Sequence, residues 1–168
     1  MKRIQPRLRE LPGEMPAALA TVNREQWIEG ARGAREEGYR FVALWGTDHR
    51  PEGRGYTVHA AYALKTGLVV LALALPADDP VYPEIARIFP AANRMQRAAF
   101  DLLGIVAEGA VDTRPWLRHG AWSANEHPLR RDFDAHAFRQ NGIDRYPFVR
   151  VEGDGVHEIP VGPIHAGI

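Results

Sequence analysis

The chain has 168 residues, 45% of them hydrophobic and 25% charged, the balance of one globular domain large enough to bury a core without covalent staples. Twenty-one basic and twenty-one acidic residues cancel to a formal charge of zero, without the basic excess of a general nucleic-acid binder. The chain has no cysteine, which excludes disulfides and any thiolate-held zinc or iron–sulfur cluster within it. The basic start, Met1 to Arg7, is followed by no apolar stretch of the kind a signal peptide carries. The longest apolar run, Gly67 to Pro76, is about half the length of a membrane-spanning helix. A soluble, cytoplasmic protein is the expectation.

Residues 1–20 carry Pro6, Pro12 and Pro16 among charges and read as an extended arm. Asn23 with Gln26 three residues on is a helix start. Trp27, Ile28, Ala31 and Ala34 follow at helical spacing, with Gly38 as the stop. Tyr39, Phe41, Ala43 and Trp45 alternate as a strand would, and the polar stretch Gly46 to Gly55 reads as a loop. Tyr56 to Leu64 alternates again, Lys65-Thr66-Gly67 turns the chain, and Leu68 to Leu75 is apolar on both faces, as a covered central strand is.

Pro90 to Leu103 is the clearest helix. Ala92, Met95, Ala99, Leu102 and Leu103 form its apolar stripe, Gln96, Arg97 and Asp101 face elsewhere, and Gly104 closes it. A short strand is expected between Ile105 and Ala110. Residues 111–147 are irregular, and Phe148–Val151 with Val156–Ile159 flank a Gly-containing turn as a hairpin would. Blocks of strands and helices, rather than strict alternation, predict an α+β, two-layer fold. It would be a small mixed or mainly antiparallel sheet with helices on one face, plus an irregular C-terminal extension. The expected divisions are an arm over 1–20, the α+β domain over 21–110, an irregular docking segment over 111–147, and a terminal hairpin region over 148–168.

No phosphate loop, nucleophile elbow or His-Glu-x-x-His motif occurs. His119 and His127, eight residues apart beside Glu126, are the one metal candidate, against a reading as loop histidines hydrogen-bonded to backbone. Asp101 could act as a base, but an ion pair with Arg94 or Arg97 on neighbouring turns is the simpler role. His127-Pro128-Leu129-Arg130-Arg131-Asp132-Phe133 packs a proline, two guanidinium groups, a carboxylate and an aromatic into seven residues, the composition of a rigid docking loop. Its arginines suit bidentate pairing with carboxylates, of this chain or of a partner. Trp27 and Trp45 fall in regular elements and are expected in the core. Trp116 and Trp122, in the irregular segment, are expected to anchor a partner.

The ordered block Tyr82-Pro83…Phe89-Pro90-Ala91-Ala92-Asn93…Gln96-Arg97…Asp101-Leu102-Leu103-Gly104-Ile105…Asp112…Arg114…His127-Pro128-Leu129-Arg130-Arg131-Asp132-Phe133 resembles the thirty-kilodalton subunit of NADH:quinone oxidoreductase, respiratory complex I. One departure is visible: the family helix reads Trp-x-Glu-Arg-Glu, and Gln96 and Ala98 leave two acidic positions neutral here. The tail Val156 to Gly167 looks like the opening of the large subunit of membrane-bound NiFe hydrogenases of the formate hydrogenlyase and hydrogenase-4 type. In those proteins a domain like the thirty-kilodalton subunit is fused ahead of the large subunit.

These resemblances imply an accessory domain of an oxidoreductase complex, with no catalytic centre, cofactor or metal of its own. Iron–sulfur clusters and NiFe or quinone would belong to partner subunits. The implied partners are the large subunit and a cluster-bearing small subunit, and the implied place is the inner face of the cell membrane, reached only through the complex. Asp101, Gly104, His127, Arg130, Arg131 and Asp132 are the expected docking residues. His165 would approach the large subunit's active site in the intact assembly. The rivals are an independent metal-dependent enzyme using His119 and His127, and a stand-alone binding module.

Overall fold

The structure is a computed structural model that describes residues 8–120, 122–137, 142, 150–157 and 159. Its elements in chain order are β1 (Leu8–Leu11), β2 (Ala17–Val22), α1 (Arg24–Glu36), β3 (Arg40–Asp48), a single 3₁₀ turn at Arg50–Glu52, β4 (Tyr56–Leu64), β5 (Gly67–Leu75), β6 (Val81–Pro83), α2 (Ala92–Leu103) and β7 (Val106–Glu108). Asn23 starts α1 as its side chain dictates. Its carboxamide accepts from the Gln26 N–H at 2.8 Å, and the Gln26 side chain accepts from the Asn23 N–H at 3.0 Å.

Five strands form one sheet in the order β1-β2-β5-β4-β3. The pair β2–β5 is parallel and the others are antiparallel. The apolar run of β5 therefore lies in the middle of the sheet, as its two-faced pattern predicts. Trp27, Ala31 and Ala34 of α1 and Ala92, Ala99 and Leu103 of α2 share one buried core with Ala20, Leu44, Val58, Tyr62 and Leu71 of the sheet. Both helices thus cover the same face, and the α+β expectation holds.

Other expectations give way to sheet geometry. The arm over 1–20 contains β1 and most of β2, because Leu8 to Leu11 pairs with Ala17 to Ala20 and β2 then runs beside β5. The loop expected from Gly46 starts later, since β3 continues to Asp48. Gly46 lies close under the end of α2: a Cβ there would meet Ile105 Cδ1 at 2.5 Å and Leu103 Cδ1 at 2.6 Å, so any side chain would push both tips aside. At the other end of that contact the Leu44 N–H donates to Met95 Sδ at 3.2 Å. Trp27 is fully buried, but Trp45 is 40% exposed, on the sheet face opposite the helices, and its ring stacks on His59 at 4.9 Å.

Sequence periodicity gave no sign of β6. This strand pairs in parallel with β7, and the Trp27 indole N–H donates to the Pro83 carbonyl at 3.0 Å. Gln96, expected off the apolar stripe, is 2% exposed because its Oε1 accepts from the Ile85 N–H at 2.8 Å. Within the expected C-terminal hairpin, residues 150–157 form a turn at Asp154–Gly155 and no strand. Phe148, Val149 and Glu158 lie outside the described residues, as does His165.

Candidate docking site

An α-helix ends with four backbone carbonyls that have no partner in the helix. At the end of α2 all four are taken. The Gly104 N–H donates to the Phe100 carbonyl at 2.8 Å. His127 Nδ1 lies 3.1 Å from the Asp101 carbonyl, the Leu129 N–H donates to Leu102 at 3.0 Å, and Arg130 Nε donates to Leu103 at 2.8 Å. Since a carbonyl only accepts, Nδ1 carries the imidazole proton. Burial is the main reason the His127 pKa lies below the ordinary histidine value, with the positive charges of Arg130 and Arg118 adding to it. The first half of the His127–Phe133 loop is therefore the C-cap of α2.

Gly104 makes this cap possible twice over. Its φ of +74° is left-handed, which favours glycine. A Cβ there would also collide with the Arg130 guanidinium and the His127 ring.

The second half of the loop is fastened to the end of β3. Asp48, 3% exposed, accepts from the Arg50 N–H and Nε at 3.0 Å each, from Arg50 Nη2 at 2.7 Å and from the Arg131 N–H at 2.9 Å. Arg50 then reaches Asp132 with both terminal nitrogens, at 2.6 and 3.1 Å. One guanidinium joins two carboxylates 84 positions apart in sequence. The Arg50 hydrogen bonds hold the Asp48 carboxyl well below the usual carboxylate range, and Asp132 is lowered chiefly by the same guanidinium. The buried Tyr56 ring supports the junction, with Arg50 Cζ 5.0 Å and Arg130 Cζ 5.9 Å from its centroid.

Asp101 organises the other flank. It pairs with neither Arg94 nor Arg97, contrary to the helical-spacing expectation. Its Oδ2 accepts from the N–H groups of Trp116 and Leu117 at 2.7 Å and of Arg118 at 3.1 Å. Three convergent backbone donors outcompete a surface ion pair because the carboxylate is 1% exposed. Arg97 holds the same segment by donating to the Arg114 carbonyl at 2.6 Å, the Pro115 carbonyl at 2.9 Å and Asp112 at 3.0 Å. Trp116 lies under Arg94 and Arg97, with guanidinium-to-centroid distances of 4.8 and 5.2 Å, and the Trp122 Nε1–H donates to the Glu126 carbonyl at 2.8 Å. Both tryptophans are engaged within the chain.

The structure thus brings Asp101, Gly104, His127 and Arg130 together at one helix end and ties Asp132 to Arg50. What faces outward is Leu129, 58% exposed, and the side chain of Arg131, which no described residue pairs. Sequence reasoning missed Asp48 and Arg50, whose signal was an Asp-x-Arg closing a strand, and the clamping role of Arg97. Among the described residues no group of three or more histidines and carboxylates could hold a metal ion. His119 packs edge-on against Trp122, with ring centroids 6.3 Å apart. Among the described residues no helix is long and apolar enough to cross a membrane.

A family model described as the 30 kDa subunit of respiratory-chain NADH dehydrogenase matches residues 20–139. Hydrogenase-4 component G of Escherichia coli K12 is 31% identical over 129 residues, which are 73% of this chain and 23% of that protein. The C/D subunit of NADH-quinone oxidoreductase from Rhodopseudomonas palustris BisB18 is 38% identical over 118 residues, 65% of this chain and 19% of that one. The chain thus spans about a fifth of the length of these two relatives. Among solved structures, a chain of the membrane-bound sulfane sulfur reductase, an archaeal respiratory membrane complex, shares the fold. It superposes with a TM-score of 0.67 at 18% identity, covering 89% of this chain and 92% of that one.

Proposed function

This chain belongs to the family of the 30 kDa subunit of respiratory-chain NADH dehydrogenase, and we propose that its role is structural: it docks neighbouring subunits of a complex I-like or hydrogenase-type membrane oxidoreductase into register for electron transfer. The observation that carries this reading is the loop His127 to Asp132. Its backbone and most of its charges are already bound within the chain, so Leu129 and Arg131 stand on a rigid base. A preorganised surface gives up little conformational freedom when a partner arrives. The exposed apolar side chain beside an exposed guanidinium fits an apolar contact rimmed by a partner carboxylate.

The relatives named as hydrogenase-4 component G and as the C/D subunit support an oxidoreductase setting, and the length of each beyond the matched part supports a large-subunit-like neighbour. In that setting the iron–sulfur clusters and the NiFe centre or quinone belong to the partners, and the chain sits on the inner membrane face by way of the complex. His165 would then lie toward the large subunit's reacting site.

The test is co-purification. Leu129→Asp with Arg131→Glu is expected to abolish recovery of the large and cluster-bearing subunits while leaving the isolated chain's thermal unfolding within a degree or two of the wild type, because neither side chain contributes to the α2 cap. Unchanged recovery refutes the docking role. Arg130 is the wrong probe, since its loss would also strip the Leu103 carbonyl.

A further inference from the structure

α1 and α2 cover one face of the five-stranded sheet, and the strand register fixes what stands on the other. Residues opposite each other on paired strands share a face. One row on this second face holds Trp45, His59 and Ala72, and the next holds Ala61, Val70 and Leu19. A mainly antiparallel sheet that turns one face to water carries polar, charged side chains there. This face does not. Glu10 and Asp48, the carboxylates of these strands, fall in the rows that face the helices. His59 is neutral near pH 7, because burial lowers its pKa to about 4. The remaining charges are Arg9 on β1 and Arg40 on β3, at opposite edges of the sheet. Both are exposed, and neither pairs with a described residue.

We propose that this face receives an amphipathic α-helix of a neighbouring subunit, with its apolar stripe on the rows of Trp45 and Val70 and carboxylates on its flanks for Arg9 and Arg40. Width sets the element. Four strand spacings put the two edges about 19 Å apart, and a helix about 10–12 Å across fits between them with a guanidinium in reach on either side. Charge sets the occupant. Two copies of this chain packed face to face would gather four guanidinium groups around an apolar contact with no carboxylate on either face, an arrangement that like charge opposes. An acidic-flanked helix answers both arginines. A lipid surface fits less well, because a membrane-bound face sinks apolar side chains about 5–10 Å past the headgroups. Here Trp45 is the one large exposed ring, and it lies flat on His59, with 11° between the ring planes. Held in that stack, Trp45 is an aromatic anchor that gives up little freedom when a protein surface covers it.

The proposal rests on the docking reading, and its test tells the two apart. Arg9→Glu with Arg40→Glu in the full 168-residue chain turns both edge charges against the helix. Recovery of the subunit that supplies the helix is expected to fall at least about tenfold. Thermal unfolding of the isolated variant should match the wild type, since neither arginine has a partner to lose. Arg9→Lys with Arg40→Lys keeps the charge and should keep recovery. A benzophenone side chain placed at exposed Ala74, on the same face, is expected to crosslink in the purified assembly to a partner segment with apolar residues at helical spacing and carboxylates beside them. Recovery unchanged by the double charge reversal overturns the proposal. So does a crosslink from Ala74 to a second copy or to the chain's own residues. Sedimentation of the isolated wild-type chain with phosphatidylglycerol vesicles, abolished by the same reversal, overturns the protein occupant in favour of lipid. Recovery lost with Leu129→Asp and Arg131→Glu but kept by the Arg9 and Arg40 reversal overturns this face alone, whereas recovery that survives both variants removes the docking reading with it.

Discussion

Replacing Asp101 with alanine tests the centre of the site. The carboxylate Oδ2 accepts three backbone N–H groups at 2.7, 2.7 and 3.1 Å and is 1% exposed. A hydrogen bond to a charged group contributes about 1.5–3 kcal/mol, so three simple increments would sum to roughly 4.5–9 kcal/mol. The real loss is smaller, because Leu117 is 40% exposed and freed N–H groups in this segment can turn to water. We expect about 3 kcal/mol, which for a slope of about 2 kcal/mol/M moves the urea midpoint down by about 1.5 M. Asp101→Asn separates charge from shape. Oδ1 has no partner, so the amide nitrogen can occupy that side while the remaining oxygen keeps its three donors. It should lose about 1–1.5 kcal/mol, the charge assistance and one buried unpaired amide. Urea unfolding of both variants gives the ratio, and hydrogen exchange at Trp116, Leu117 and Arg118 localises it. A midpoint shift under about 0.3 M for Asp101→Ala, with those amides still protected, would refute the assignment of Asp101 as the anchor of the segment.

Gly104→Ala should destabilise by more than the roughly 1–2 kcal/mol of a left-handed non-glycine residue, because its methyl also displaces Arg130 and His127; thermal unfolding checks this. The acid limb of stability should depend on Asp48. Its folded pKa is depressed, so its contribution is full above the unfolded value of about 3.9 and is lost as pH falls toward the folded one. Asp48→Asn should therefore be less stable at pH 7 and show a flatter decline between about pH 5 and pH 2, measured by urea unfolding across pH. His127 should titrate below the ordinary 6.5 and show the Nδ1–H tautomer by nitrogen NMR. The neutral ring's contribution is then complete above that value and fades below it, and a midpoint at or above 6.5 would contradict the buried cap.

The elements that follow from local chemistry were legible in the sequence. Asn23 with Gln26, the stripe of α2 ending at Gly104, and the two-faced apolar run of β5 each state their own conformation. What was not legible depends on who lies alongside. Leu8 to Leu11 looks like a charged arm until β2 pairs with it, and Val81 to Pro83 is too short to show a period. Asp101 at four residues from Arg97 predicts an ion pair on an isolated helix. In the fold, a segment fifteen residues further on brings three donors at once and takes the carboxylate. The loop His127 to Phe133 was recognisable as special from its composition, and the family resemblance agrees with the matched residues 20–139. Its first duty, to close α2, could not be read without knowing that His127 returns to the helix end.

That return has a practical meaning for where the folding unit stops. Among the described residues the last regular element ends at Glu108, yet Arg50 and Asp48 reach across more than eighty residues to Asp132 and Arg131. A fragment cut after Glu108 would leave three α2 carbonyls bare, the buried Asp101 without its donors, and Arg50 with half of its carboxylate contacts. The contacts that hold the end of α2 and β3 therefore reach at least to Asp132, two dozen residues past the last strand among the described residues, and trimming guided by secondary structure alone would remove the fastener that locks the helix to the sheet.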